Sequence, residues 1–160
     1  MPQSYSEIYF HAVFAVKYRQ AVIDRDWEER LYGNLWTKLL ELDCSPIAVG
    51  GIEDHVHVFW RHTRTQTAAD VIQRLKGASA RFINQQQLSA GHFRWQPGYG
   101  LFSVSRFRKE LVKSYIERQR QIHHQRTLRQ EYERMLLREF VNRPADYQFD
   151  PLIDFHADVA

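Results

Sequence analysis

The sequence predicts an α+β domain with a four-stranded antiparallel sheet and two helices on one face of that sheet. Four short segments rich in β-branched and aromatic residues alternate with two longer segments of helical periodicity. Their order is strand, helix, strand, strand, helix, strand, which is that of the split βαβ arrangement, ferredoxin-like or RRM-like. A length of 160 residues with 14% aromatic side chains suffices for one buried core.

The first half of the chain supplies three of the strands. Residues 7–16 are apolar on both faces, as in a central strand. Asp24 is the expected N-cap of a long amphipathic helix that ends near Asp43. Residues 46–52 and 55–60 predict two further strands, and the short connection between them predicts a hairpin.

The second half predicts one helix more than the split βαβ arrangement needs. Thr67 to Asp70 resembles a capping box and opens the second helix, which runs through Phe82. After a loop over residues 91–100, residues 99–104 predict the fourth strand. Ser105 then caps an additional helix that we expect to continue to about His124.

The domain organisation follows from these elements. We expect a main domain over residues 5–125. Residues 126–160 are expected to add a C-terminal helix, over 127–140, and an extended tail that packs on the same domain.

Composition limits the class of protein without identifying it. The net charge of +3 and the isoelectric point of about 9.1 are compatible with a local phosphate-binding patch but do not establish one. The single cysteine, Cys44, allows no internal disulfide and no Cys-x-x-Cys site. Since the sequence has no run of eighteen apolar residues and no signal-peptide pattern, it predicts a soluble, cytoplasmic protein.

The most informative chemical pattern is the pair His55 and His57 in the third predicted strand. Side chains at i and i+2 of a strand share a face and lie about 6 to 7 Å apart. Imidazole is the commonest protein ligand for metals, so the pair predicts part of a metal site. The alternative is two polar residues on a half-exposed strand. Glu53 and Asp54 supply acceptors that can orient an imidazole.

The additional helix places Tyr115 and Gln119 one turn apart on the same stripe. Taken alone, this stripe is as expected of an ordinary core tyrosine with a glutamine at the solvent edge. A functional interpretation depends on its combination with the histidine pair.

Five segments, in order, resemble the single-tyrosine HUH transposases of insertion sequences. The segments are Phe14-Ala-Val-Lys-Tyr-Arg19, Asp54-His-Val-His57, Leu75-Lys-Gly-Ala-Ser79, Gly98-Tyr-Gly-Leu-Phe-Ser-Val-Ser105 and Tyr115-Ile-Glu-Arg-Gln119. The resemblance extends over roughly residues 5 to 135. It implies an HUH transposase catalytic domain over residues 5–125, in a family that includes relatives acting on repetitive palindromic elements.

The resemblance also implies an activity and a site. The protein would cleave single-stranded DNA and transfer the strand through a 5′-phosphotyrosine, thereby mobilising an insertion sequence. Tyr115, on the C-terminal helix, would be the nucleophile. His55, His57 and Gln119 would ligate a divalent cation, Mg²⁺ or Mn²⁺, although ligand softness alone would also allow Zn²⁺.

The tyrosine and the DNA need further residues. A tyrosine of ordinary pKa is ionised to only about one part in a thousand at neutral pH, so the metal or a nearby cation must assist it. The local cations are Lys109, Lys113 and Arg118. The candidates for tracking phosphates and stacking a base are Lys17, Arg19, Arg61, Arg64, Arg74, Lys76, Arg81, Lys109, Lys113 and the pair Arg94-Trp95.

The resemblance implies partners and leaves alternatives open. The expected partner is single-stranded DNA that contains a hairpin, and the protein would be nucleoid-associated when it acts on DNA. A homodimer is expected, in which the tyrosine helix of one chain can serve the histidines of the other. The alternatives are a transposase associated with palindromic repeats, a catalytically silent copy, and a binding module of RRM-like fold that needs no metal.

Overall fold

The computed structural model describes residues 3–123 and residue 130, and it confirms the predicted sheet. Strands β1, β2, β3 and β4 comprise Tyr9–Ala15, Ser45–Ile52, His55–Arg61 and Gly100–Val104. They pair antiparallel in the order β2-β3-β1-β4. Helices α1, α2, α3 and α4 comprise Glu28–Glu41, Ala68–Gln85, Lys109–Glu117 and Gln119–His123. The segment 126–160, with its predicted helix and tail, lies outside the described residues except for residue 130.

Helices α1 and α2 cover one face of the sheet, as predicted. Alternate residues of β1 and β3 point into this layer, where they pack with the apolar stripes of both helices. Leu35, not its neighbour Trp36, belongs to the buried stripe of α1. The buried cluster includes Ala12, Phe14, Val56, Val58, Trp60, Leu31, Leu35, Leu39, Val71, Ile72, Leu75 and Ile83.

Helix α3 packs on the opposite face of the sheet. Ile116 is only 1% exposed and lies in a second apolar cluster with Tyr9, Ala48 and Phe59. The additional helix that the sequence predicts therefore covers part of the second face of the sheet. The reason is that β1 and β3 are apolar on both faces, so the second face also needs a covering element.

Two predicted caps have different outcomes. Thr67 caps α2 as expected, since its hydroxyl accepts a hydrogen bond from the backbone N–H of Asp70. Asp24 instead closes a turn: its carboxylate accepts from the N–H of Asp26, and α1 begins only at Glu28. Asp24 therefore does not serve as the N-cap of α1.

The continuous helix expected from Ser105 to His124 is interrupted twice. Ser105 caps a single 3-10 turn over Arg106–Arg108, and α3 follows. The helix is then broken at Arg118, whose N–H is shared between the carbonyl oxygens of Ser114 and Tyr115. Tyr115 therefore lies in α3 and Gln119 in α4. His124 lies outside the described residues.

Two glycines of β2 allow the close packing at this end of the sheet. A Cβ atom at Gly50 would lie 2.8 Å from the carbonyl oxygen of Ile116, so Gly50 lets α3 approach. A Cβ atom at Gly51 would lie 2.2 Å from the carbonyl oxygen of His55, within the hairpin itself. Among the described residues, no helix has the length and apolar character needed to span a membrane.

Candidate active site

The two histidines of β3 lie together under α3. His55 and His57 point to the same face of the sheet, are both buried, and have ring centroids 5.0 Å apart. The strand periodicity predicted this arrangement. The interpretation of the pair as polar residues on a half-exposed strand is wrong, because neither imidazole is exposed.

A carboxylate and a guanidinium hold His55 in one orientation. Asp54 Oδ1 lies 2.7 Å from His55 Nδ1, and Arg19 donates to Asp54 Oδ2 at 3.1 Å. Burial raises the pKa of the Asp54 carboxyl, but the hydrogen bond with His55 and the pairing with Arg19 outweigh it, so the net pKa is lowered. The ionised carboxylate favours a proton on Nδ1 and places the lone pair of His55 on Nε2.

Gln119 lies next to Nε2 of His55, although the two residues are 64 positions apart in the chain. Its Oε1 atom lies 3.3 Å from His55 Nε2, and its amide nitrogen approaches the Tyr115 carbonyl oxygen at 3.5 Å. In the tautomer that Asp54 favours, two acceptor atoms therefore face each other. This separation is close to the distance of about 3 Å between neighbouring ligands of one cation.

His11 supports the second histidine in a comparable way. His11 Nε2 lies 2.8 Å from His57 Nδ1, and the two rings stack with centroids 5.1 Å apart. Burial lowers the pKa of His11 to about 4, so it is neutral and can accept the Nδ1–H of His57. His11 was not among the residues predicted from the sequence. The available signal was a histidine inside the otherwise apolar β1, one of whose residues, Val13, pairs with His57.

Tyr115 packs against these rings from its own chain. Its ring meets the His57 ring edge-to-face at 5.7 Å and the His11 ring at 6.3 Å. The hydroxyl is buried and has no hydrogen-bond partner among the residues that the structure describes. A buried phenol without a partner costs about 1 to 3 kcal/mol.

Arg120 fixes the short helix that carries Gln119. Its guanidinium pairs with Glu53 Oε1 at 2.8 Å, in the β2–β3 turn, and with Glu28 at the start of α1. Burial lowers the pKa of Arg120, but its contacts with Glu53 and Glu28 outweigh this and raise the net pKa. Arg120, which was also not predicted from the sequence, thus ties α4 to the body of its own chain.

Two of the predicted DNA contacts are corrected. Trp95 is only 8% exposed, its ring meets Phe14 edge-to-face, and its indole N–H donates to Ser79. The ring is therefore part of the core and cannot stack a base. Lys76 Nζ donates to the carbonyl oxygens of Gln96 and Gly98, so its ammonium group holds the loop before β4.

The remaining predicted cations are dispersed. Arg74 and Arg81 are exposed on α2, on the face of the sheet opposite to the histidines. Arg61 donates to the Ser6 carbonyl oxygen and, with Arg64, lines a cleft near the N-terminus. The other cations lie at three places: Lys109 over the Tyr9 ring, Lys113 between α1 and α3, and Lys17 with Arg94 beside the end of β1.

The set of side chains proposed as ligands combines two imidazoles with one amide. Within residues 3–123, no group of three or more His, Cys, Asp or Glu side chains is arranged to hold a metal ion. Gln119 would be the third donor of the proposed set. Both histidines have Nδ1 engaged by a neighbouring residue. When that nitrogen carries the proton, the lone pair lies on Nε2, and the set fits a hard or borderline cation.

The fold is that of transposases, which are enzymes that cleave DNA. Comparison with known proteins identifies the family. A family model described as IS200-like transposase matches residues 4–119. The ISDra2 transposase TnpA of Deinococcus radiodurans is 30% identical over 118 residues, which are 71% of this chain and 84% of the relative. The chain therefore belongs to the IS200-like transposase family.

Solved structures show the same fold. A structure described as a transposase from Deinococcus radiodurans has a TM-score of 0.56 and 26% identity, and the match covers 74% of this chain and 98% of that one. A REP-associated tyrosine transposase bound to a REP hairpin has a TM-score of 0.57 and 11% identity, and the match covers 78% of this chain and 73% of the other. The second likeness concerns the fold alone.

Proposed function

We propose that this transposase cleaves single-stranded DNA with Tyr115 as nucleophile and transfers the strand through a 5′-phosphotyrosine, so as to mobilise an insertion sequence. The main support is the buried Tyr115 hydroxyl, which has no hydrogen-bond partner among the described residues. The ring that carries it packs against His57. A phenol in such a position is costly to a protein that does not use it. Beside it, His55 Nε2 and Gln119 Oε1 lie 3.3 Å apart.

Members of this family are generally metal-dependent, and we propose that His55, His57 and Gln119 hold the ion, Mg²⁺ or Mn²⁺. When bound, such an ion would neutralise charge on the scissile phosphate and polarise the leaving oxygen. All three donors are neutral, so the ion would keep its full charge for the substrate. Asp54 and His11 would fix the two imidazoles in the tautomers that bind metal.

The covalent step conserves the bond energy of the phosphodiester. Tyr115 Oη loses its proton and attacks phosphorus, the bond from phosphorus to the 3′ oxygen breaks, and that oxygen takes up a proton. The products are a 5′-phosphotyrosine and a free 3′-hydroxyl. Attack by another 3′-hydroxyl reverses the step and joins the strand to a new end without ATP. The assistance expected from Lys109, Lys113 or Arg118 stays a prediction.

The proposed substrate is single-stranded DNA with a hairpin. The REP-associated relative of the same fold is bound to a hairpin, and an extended backbone can reach a recessed site more readily than a duplex can. The Tyr115 ring lies 5.7 Å from the His57 ring of the same chain, which supports a site within one chain. A homodimer in which α3 serves the partner stays a proposal.

The test is covalent capture. The protein is incubated with a labelled single-stranded hairpin and Mn²⁺, and the adduct is resolved on a denaturing gel. We expect an adduct with wild type and with Tyr5→Phe, the control for an exposed tyrosine, and none with Tyr115→Phe. An adduct that persists in Tyr115→Phe refutes the assignment of the nucleophile. Loss of the adduct in His57→Ala with retained DNA binding supports the metal site.

The second candidate function is single-stranded DNA binding without cleavage, by a silent copy. It predicts hairpin binding by wild type, no adduct with Mg²⁺ or Mn²⁺, and equal affinity for Tyr115→Phe. The grouping of Tyr115, His55, His57 and Gln119 favours the enzyme, because a binding module has no need to bury these polar atoms together.

A further inference from the structure

The turn that follows β1 has an unusual backbone. Tyr18 has φ 57° and ψ 18°, and Arg19 has φ 48°, so two consecutive residues with side chains adopt the left-handed conformation. This region disfavours residues with a Cβ atom, and glycine would adopt it without strain. Strained backbone of this kind persists where surrounding contacts enforce it, and it concentrates at functional sites.

Several contacts hold this turn in place. The Arg19 N–H donates to the Val16 carbonyl oxygen at 2.8 Å, and the Tyr18 N–H donates to Gln96 Oε1 at 3.3 Å. The Val16 N–H donates to the Asp54 carbonyl oxygen at 2.8 Å, and the Arg19 side chain pairs with the Asp54 carboxylate. The turn is therefore built onto the residue that orients His55.

The result of this geometry is an exposed aromatic ring. Tyr18 is 54% exposed, and the Lys17 ammonium lies 5.3 Å from the centre of its ring. Both residues line a groove of about 650 Å³ that runs beside the loop before β4, where Arg94 is exposed. Asp24 and Asp26 also line the groove, so we expect phosphates at Lys17 and Arg94 and away from these carboxylates.

We propose that Tyr18 is a stacking platform for one base of the single-stranded DNA, with Lys17 and Arg94 binding the adjacent phosphates. The proposal rests on the proposed function, since it takes single-stranded DNA as the substrate. An exposed aromatic ring flanked by cations is how proteins bind single strands without reading sequence. Trp95, which the sequence suggested for this role, is buried, whereas its neighbour Arg94 and the ring of Tyr18 are accessible.

The test measures DNA binding and not cleavage. All substitutions are therefore made in the Tyr115→Phe variant, which is the background with which their affinities are compared. Affinity for a fluorescein-labelled hairpin with single-stranded flanks is measured by fluorescence anisotropy. Loss of one base–aromatic stack predicts a loss of about 5-fold to about 100-fold for Tyr18→Ala. Tyr18→Phe keeps the ring and should bind like the background. Tyr5→Ala removes another exposed tyrosine and is the matched control.

A second variant separates structure from binding. Tyr18→Gly relieves the left-handed strain, so its melting temperature should equal or exceed that of the background, while its DNA affinity falls as in Tyr18→Ala. When single abasic sites are introduced along the oligonucleotide, one of them should lower the DNA affinity as much as Tyr18→Ala does. In Tyr18→Ala itself, the abasic substitution at that position should have no further effect.

The outcomes are distinct from those of the proposed function. If Tyr18→Ala and Tyr5→Ala both bind like the background, the platform is refuted, even where wild type forms an adduct. If wild type forms no adduct but Tyr18→Ala binds weakly and Tyr18→Phe binds normally, the nucleophile proposal fails and the platform stands. Weak binding by Tyr18→Phe together with Tyr18→Ala also refutes stacking, because the ring is retained.

Discussion

Replacing Gly50 with alanine should displace α3 from the sheet and slow DNA cleavage. The new Cβ atom would lie 2.8 Å from the carbonyl oxygen of Ile116 and 3.2 Å from its Cγ2 atom. Both neighbours belong to a buried residue, and one of them is backbone, so neither can move independently of the helix. An ordinary contact begins at 3.4 Å, so α3 must retreat by the difference, 3.4 minus 2.8, about 0.6 Å.

That displacement has a calculable effect on the site. Gln119 follows Ile116 by three residues, and its Oε1 atom lies 3.3 Å from His55 Nε2. A misplacement of about 1 Å can cost about 100-fold in rate, so about 0.6 Å should cost about 10-fold. Overpacking of this kind also costs about 1 to 3 kcal/mol of stability. Both effects follow from one methyl group that touches none of the proposed ligands.

The assay is the rate of adduct formation with the hairpin and Mn²⁺, measured well below the melting temperature of both proteins. Gly33→Ala is the matched control, since a Cβ atom at Gly33 in α1 meets nothing within 4 Å. The control should keep the wild-type rate and gain about 0.5 to 1 kcal/mol of stability. A Gly50→Ala protein with the wild-type rate and stability would refute the role of the close approach.

Three further predictions concern residues that support the fold and the site. Arg120→Ala should lose no more than about 1 kcal/mol of stability, because its ion pairs are partly exposed. It should form less adduct at limiting Mn²⁺ and recover at saturating Mn²⁺, because α4 is no longer tied down. Gly77→Ala, at a helical position in α2 with nothing within 4 Å, should raise the free energy of unfolding by about 0.5 to 1 kcal/mol in urea titrations, with unchanged cleavage. Burial lowers the pKa of Lys76 from 10.5 to about 8. The unfolded chain therefore binds this proton more tightly than the folded chain does. As the pH rises from about 8 towards 10.5, the free energy of unfolding of wild type should increase by about 1 kcal/mol relative to that of Lys76→Met. An equal difference at all pH values contradicts this.

The elements that the sequence predicted correctly are those with a strong local signal. Alternation placed His55 and His57 on one face of β3, and the Thr67 cap is a contact between residues three apart in the chain. Such features depend on the local chain alone. The antiparallel hairpin of β2 and β3 follows from its short connection.

The features that the sequence did not predict depend on distant packing. Nothing local to Trp95 distinguishes a buried indole from a stacking one, because the difference lies in Phe14 and Ser79, far away in the chain. The orientation of α3 likewise depends on Gly50, whose missing side chain matters only once Ile116 lies above it. Helical periodicity also could not reveal the break at Arg118, since residues on both sides keep helical spacing.

That break affects how the site is assembled. Tyr115 and Gln119 both face the sheet, as their spacing predicted, but they belong to different helices that are held by different contacts. Ile116 anchors α3 in the apolar cluster with Phe59, whereas Arg120 anchors α4 through ion pairs. Salt screens exposed charges and leaves apolar contacts largely intact. Because the two anchors differ in this way, the position of Gln119 should change with ionic strength more than the position of Tyr115 does.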